Sequence, residues 1–151
     1  MRRKERERDA EFAFGIVDKC EYAVLATINN DVTPYCIPVS IIRIDDDIYF
    51  HCAMEGQKTD NMKRNPQVCM TCVGDTYLPP DEFTARFESA VVYGTASEVT
   101  DDAEKITVLK PLCEKYTPTN MADFDNHVGR FLKYTAIWKI HIDKITGKSS
   151  F

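Results

Sequence analysis

His51 closes an apolar run, Ile48-Tyr49-Phe50-His51-Cys52-Ala53, and is followed at once by Met54-Glu55-Gly56-Gln57-Lys58 and the polar stretch Thr59-Asp60-Asn61-Met62-Lys63-Arg64-Asn65-Pro66. A strand that passes through a glycine into a lysine-bearing helix start presents free backbone N–H groups and a cation to one point in space. That is the chemistry of an anion site. A phosphate-bearing cofactor held there would carry its reactive part towards His51, and an imidazole, which titrates near neutrality, is suited to proton transfer. The competing reading is a solvated strand-to-helix connection with a structural histidine at the strand end.

Other groups able to do chemistry are less well set. His141 alternates with Ile140 and Ile142, and His127 falls between Phe124 and Phe131, so both read as surface or packing residues. Histidines this dispersed give no zinc spacing, and no metal is expected. Cys69-Met70-Thr71-Cys72 has the CxxC form, but on a strand residues three apart face opposite ways with Cα atoms about 10 Å apart, beyond disulfide reach. All six cysteines, Cys20, Cys36, Cys52, Cys69, Cys72 and Cys113, lie in apolar strand and helix patterns and read as buried, reduced thiols. Ser89 has no hydrolase motif around it. Asp45-Asp46-Asp47 is a solvated hairpin turn without EF-hand spacing. A Rossmann or P-loop signature is missing, so any phosphate site must be built in another way.

The elements that must position His51 and Lys58 follow from periodicity. Glu5 to Lys19 spaces Phe12, Ala13, Ile16, Val17 and Cys20 as an amphipathic helix. Strands are predicted over Tyr22–Ile28, Pro34–Ile44 and Ile48–Ala53, joined as hairpins through Asn29-Asn30-Asp31 and the Asp45–Asp47 turn. After the short helix, Gln67–Val73 reads as a fourth strand, Thr76–Asp81 as an irregular excursion, and Phe83–Val99 as a long strand that Gly94 bends or bulges. Asp101 with Glu104 resembles a capping box for a helix striped by Ile106, Leu109, Leu112 and Cys113. Phe124, Val128, Phe131 and Leu132 mark another helix, and Tyr134–Asp143 a final period-two strand before Thr146-Gly147-Lys148. Six strands with peripheral helices and no βαβ alternation predict an antiparallel barrel, mainly β or α+β, in a single domain over 1–151.

Composition narrows the class of function. A chain of 151 residues that is 44% apolar can bury one core. Its longest uncharged apolar stretch near the start, Tyr22–Ile28, is too short to cross a bilayer, and the charged Arg2–Arg8 run leads into a helix rather than a signal-peptide core. Cytoplasm and no membrane partner are the expectations. A net charge of −5 argues against general nucleic-acid affinity, and Glu5, Glu7 and Asp9 dilute the only basic cluster.

The order Tyr22-Ala23-Val24-Leu25-Ala26-Thr27, Pro34-Tyr35…Ile37-Pro38-Val39, Tyr49-Phe50-His51-Cys52-Ala53…Gly56…Lys58…Asn61…Asn65-Pro66 and Ser89…Gly94 resembles the FMN-binding split-barrel superfamily of pyridoxamine 5′-phosphate oxidase-like proteins. Within it the chain is most similar to the branch of 5-nitroimidazole-resistance proteins, over Arg2 to Lys148. The resemblance implies a six-stranded antiparallel split β-barrel with peripheral helices. It implies FMN as cofactor, with Lys58 and the backbone of Gly56 and Gln57 on the phosphate, and Leu25, Ala26 and Thr27 along the isoalloxazine and ribityl chain. His51 and its neighbour Cys52 would face flavin and substrate, Asn61 would lie beside the phosphate, and Ser89 would reach the flavin from the second subunit of a homodimer. The implied activity is a flavin-dependent, nitroreductase-like two-electron reduction of a small molecule, with His51 as catalytic proton donor. The alternatives are a non-catalytic flavin- or heme-binding protein on the same fold, or a deazaflavin cofactor. Two departures matter. Nothing after Trp138 supplies the C-terminal signature with which the vitamin B6 oxidases grip pyridoxal phosphate, and Gln57 stands where they place an arginine beside the lysine.

Overall fold

The computed structural model describes residues 2–151; Met1, the first residue of the expected single domain, lies outside them. After a 3-10 turn at Lys4–Arg6, the strand β1 (Glu7–Arg8) leads into helix α1 (Ala10–Lys19), whose N-terminus is capped by the Asp9 carboxylate accepting from the Phe12 N–H at 2.9 Å. The helix predicted from Glu5 thus begins five residues later. Then follow β2 (Ala23–Ile28), β3 (Pro34–Val39), β4 (Ile42–Ile44), β5 (Asp47–Ala53), α2 (Gln57–Arg64), β6 (Gln67–Tyr77), β7 (Arg86–Val99), α3 (Asp102–Tyr116), α4 (Phe124–Phe131) and β8 (Thr135–Ser149).

All strands pair antiparallel in one sheet of order β3-β2-β6-β7-β8-β5-β4, with β1 added to β8. The edge strands β3 and β4 are joined by only Ser40 and Ile41, so Val39 and Ile42 lie at most about 11 Å apart. Laid flat, seven strands would separate those edges by about 29 Å. The sheet therefore has to curl round on itself, and the gap between β3 and β4 is the split in the barrel. Tyr116 staples it. Its hydroxyl accepts from the Ile41 N–H at 3.0 Å and donates to the Ile41 carbonyl at 3.1 Å, while the Lys115 ammonium donates to the same carbonyl at 3.2 Å.

The architecture is the expected antiparallel split barrel with peripheral helices, built from eight strands rather than six. The run Pro34–Ile44 divides at the split. β6 continues through Thr76 and Tyr77, where an irregular excursion was expected, and β8 runs on to Ser149. Gly94 sits at the register shift between β7 and β8, as predicted, the extra residue being Asp143 on β8. A Cβ at Gly94 would come within 2.5 Å of the His141 carbonyl oxygen, so only glycine permits the approach.

Two cores result. Leu25, Met70, Val92, Phe50, Trp138 and Ile140 fill the barrel, and Ala13, Ile16 and Val17 of α1 pack onto the same cluster. On the outer face of β5 and β8, Tyr49 and Ile137 lie under Val108, Leu109 and Leu112 of α3 and Phe124 and Val128 of α4. Because strand neighbours alternate in face, Phe50 belongs to the first core and His51 to the helix-covered face. Cys69 and Cys72 point to opposite faces as expected. Of the cysteines only Cys20 and Cys72 are buried; Cys36 is exposed and Cys52, Cys69 and Cys113 are partly so. Its interaction with the Cys20 thiol, and then burial, hold the Cys72 thiol far above its ordinary pKa, hence protonated.

Candidate functional site

The turn Met54–Gly56 delivers the chain from β5 into α2. Gly56 has φ +146° with ψ 167°, a conformation that side chains strongly disfavour, and it is the N-cap of α2 without a capping side chain. The first helical bond runs from the Asp60 N–H to the Gly56 carbonyl at 3.0 Å. The amides of Gln57, Lys58 and Thr59 are thus left for a ligand or water. Lys58 is half-buried, and none of the ion pairs among the described residues involves it. Uncapped amides and a lysine outside any of those ion pairs thus fall on the same helix start that the sequence singled out. Glu55 and Asp60 flank it, both exposed.

Asn61 is committed elsewhere. It is 3% exposed, its amide donates to Thr27 Oγ1 at 3.0 Å and to Asn29 Oδ1 at 2.9 Å, and its Oδ1 accepts from Arg64 at 2.8 Å. Gln57 Nε2 also donates to Asn29 Oδ1, at 2.9 Å. This polar knot fixes α2 to the end of β2 and so aims the helix N-terminus. Asn61 thereby positions the corner without a donor to spare for a ligand.

The residues singled out on β2 divide by face. Leu25 and Thr27 point into the barrel, while Ala26 points outward with Val24 and Ile28. Leu25 and Ala26 are paired with both β3 and β6, whereas Thr27 and Ile28 lie beyond the end of the β6 ladder, where α2 packs. Only the side chain of Ala26 and backbone beyond it can meet a ligand outside the barrel. Ser89 shares that outer face with Val73, opposite it on β6. The Ala96 N–H bonds the Pro66 carbonyl at the end of α2. Ser89 lies seven residues back along β7, about 23 Å from that contact at 3.3 Å per residue.

His51 projects from the outer face of β5, solvent-accessible but crowded by protein, and has no hydrogen-bond partner among the described residues. That crowding, and then the Lys58 cation, hold its pKa below the ordinary imidazole value. At neutral pH the ring is uncharged, with one N–H and one lone pair free. Cys52, on the opposite face, is pushed up by burial and remains a thiol.

Next to His51 a cavity of about 510 Å³ opens between the split, α3 and α4. Sequence reasoning missed it, because its second histidine, His127, comes from α4 and is brought beside His51 only by the return of α4 to β8. His127 packs its ring on Phe131 with centroids 4.5 Å apart. His141 is elsewhere, its Nδ1 2.9 Å from Asp47 Oδ1 on the surface. Trp138, 2% exposed in the barrel core, has an indole N–H without a partner. Among the described residues there is no cluster of His, Cys, Asp or Glu able to hold a metal, and no helix long and apolar enough to cross a membrane.

A family model described as pyridoxamine 5′-phosphate oxidase matches residues 9–149. No curated protein sequence matches the chain. Among solved structures, a candidate 5-nitroimidazole antibiotic resistance protein from Bacteroides thetaiotaomicron is 23% identical, with 94% of this chain and 84% of that one covered and a TM-score of 0.77. A FAD-binding protein from Mesorhizobium loti is 18% identical over 97% of this chain and 98% of that one, with a TM-score of 0.72. The FAD and heme binding protein of Mycobacterium smegmatis is also 18% identical, over 96% and 73%, with a TM-score of 0.82. At these identities the likeness is one of fold.

Proposed function

Because this chain belongs to the pyridoxamine 5′-phosphate oxidase family, we propose that it is a flavin-dependent oxidoreductase that holds FMN by its phosphate at the N-terminus of α2 and reduces a small aromatic molecule beside His51. The observation that carries this is the uncapped helix start with its unengaged Lys58, adjacent to a histidine that no internal bond occupies. These residues suit a flavin phosphate: the amides of Gln57, Lys58 and Thr59 supply donors, Lys58 the charge, and Gly56 leaves open space above the turn. When bound, flavin supplies two-electron transfer. Lys58 anchors, Asn61 and Thr27 keep α2 in place, and the neutral His51 offers its N–H to an acceptor on the substrate and passes on a proton drawn from solvent.

The rest of the cofactor needs a second copy of the chain. Outward from β2, β6 and β7 project Val24, Val73 and Tyr93, which are 36%, 49% and 50% exposed, in a continuous face with Ala26, Cys69, Val91 and Ser89. A homodimer through this face covers those side chains and lets Ser89 of one copy approach the corner of the other. A cytoplasmic location is part of the same proposal.

The test is the absorbance of the purified chain with FMN added. A bound flavin spectrum, bleached by dithionite and restored by a nitroaromatic, supports the reading. A chain that ignores FMN refutes it. Sedimentation should give a dimer that Tyr93→Lys dissociates with loss of FMN affinity; a wild-type monomer that binds FMN equally well removes the interface. A second reading, a flavin or heme binder without turnover, is favoured by the neutral, unpartnered His51, the state an axial heme ligand requires. A Soret band in the purified chain, or bound flavin that no nitro compound reoxidises, would select it. Fluorescence titration with FMN and deazaflavin separates those cofactors.

A further inference from the structure

The cavity beside His51 has walls of two kinds. Leu112 and Phe124 are 3% and 9% exposed and, with Met121, make an apolar floor; His51, His127 and Asp123 stand around it. Its volume, about 510 Å³, is within the range that holds small organic ligands. Among the described residues no lysine or arginine lines it, and Asp123 is the one formally charged side chain on its wall. One Asp123 oxygen accepts from Asn126 at 3.0 Å and the other has no partner among the described residues. The side chains of Asn120 and Ser40, also on the lining, make no hydrogen bond among the described residues. His51 is common to this cavity and to the surroundings of Lys58.

We propose that this cavity seats the substrate, and that it selects an uncharged, flat, one- or two-ring aromatic molecule carrying a hydrogen-bond acceptor over an anionic one of the same size. The apolar floor stacks the ring, the two imidazoles and the Asn120 amide meet the acceptor, and an anion finds Asp123 instead of a cation. A phosphate ester such as pyridoxamine 5′-phosphate has no positive charge to meet there. The site's part in turnover rests on the flavin reading above; binding itself does not.

The test uses the full chain, with and without FMN, titrated calorimetrically with 4-nitrobenzyl alcohol and with 4-nitrobenzoate, rings alike in size and opposite in charge state. The alcohol should bind one per chain under both conditions, and the benzoate roughly tenfold more weakly, the scale of one like charge at a solvent-open site. Asn120→Trp, at an exposed position on the rim, should cut binding of the alcohol about tenfold while FMN affinity stays the same. Asp123→Lys should invert the preference between the two probes. Equal binding of both probes, or binding of the alcohol that neither substitution alters, would overturn the proposal. So would hemin binding with a Soret shift abolished by His127→Ala. If the alcohol binds as described and FMN does not bind, the flavin reading fails and the cavity assignment stands; the reverse result removes the cavity alone.

Discussion

Lys58→Ala is the sharpest probe of the anion corner, because the structure says what it removes and what it leaves. It removes an ammonium that no carboxylate neutralises, and it leaves the Gly56 turn and the amides of Gln57, residue 58 and Thr59 unchanged. A hydrogen bond to a charged group contributes about 1.5–3 kcal/mol, which corresponds to a roughly ten- to 150-fold weaker FMN dissociation constant. Riboflavin, with no phosphate, should lose almost nothing. The comparison of the two ligands thus isolates the phosphate contact from any general disturbance. Binding is read by quenching of flavin fluorescence, at low and high salt, since an exposed charge contact should fade as the Debye length shrinks. Circular dichroism confirms that the barrel is intact, as it should be for an alanine at a helix N2 position. Equal losses for FMN and riboflavin would refute a phosphate at this corner, and so would an FMN affinity unchanged in the variant.

The same substitution should move His51. Crowding and the Lys58 charge both disfavour its protonated form, so an NMR titration should place its midpoint below the ordinary 6.5, and Lys58→Ala should raise it; no rise would mean that the two side chains do not sense each other. The sign for stability follows: as pH falls below 6.5 the unfolded chain takes the proton before the folded one, so His51 lowers stability on the acid side and contributes nothing above it. His51→Ala should accordingly flatten the acid limb of the stability profile, keep FMN bound and reduce turnover; undiminished turnover would return His51 to a structural role. Asn61→Ala should cost about 1–3 kcal/mol in urea denaturation, because it removes three hydrogen bonds at once, to Thr27, Asn29 and Arg64, from a buried position. FMN affinity should also fall in that variant, through the loosened helix. Gly94→Ala should destabilise by about 1–3 kcal/mol, since the clash is with backbone that cannot rotate away, and a neutral result would contradict the close approach of β7 to β8.

How far the sequence alone could go is set by the range over which its signals act. Period-two and period-3.6 patterns are local, and they found every long strand and helix; the uncapped start of α2 was legible because Gly56 and Lys58 lie two residues apart in one short segment. The break at Ser40–Ile41 was not legible. Both flanking runs are apolar, and what ends β3 there is the need to close a barrel, enforced by Tyr116 and Lys115 from a distant helix. β1 and the extra length of β8 escaped notice for the same reason: Glu7 and Arg8 become a strand only because Lys148 and Gly147 are opposite them.

Closure of the barrel also decides what His51 can do. Strand alternation puts Phe50 into the barrel and His51 outside it, and on most antiparallel barrels the outward residue would meet only solvent. Here α3, after capping its start with Asp101 and packing Leu112 on the outer face, ends at the split where Tyr116 grips Ile41. The chain then turns through Pro118–Asp123 into α4 and back to β8, and the space left beneath that turn is the cavity that His51 and His127 share. The bonds that hold the split shut therefore also roof the cavity. Tyr116→Phe, which removes only the hydroxyl, tests this coupling: the Ile41 N–H loses its partner and the Ile41 carbonyl keeps only Lys115, so the corner should loosen and ligand binding at His51 should weaken while FMN affinity stays the same. Hydrogen exchange at the Ile41 amide should accelerate in that variant, and an unchanged exchange rate would show that Tyr116 is a bystander at the split.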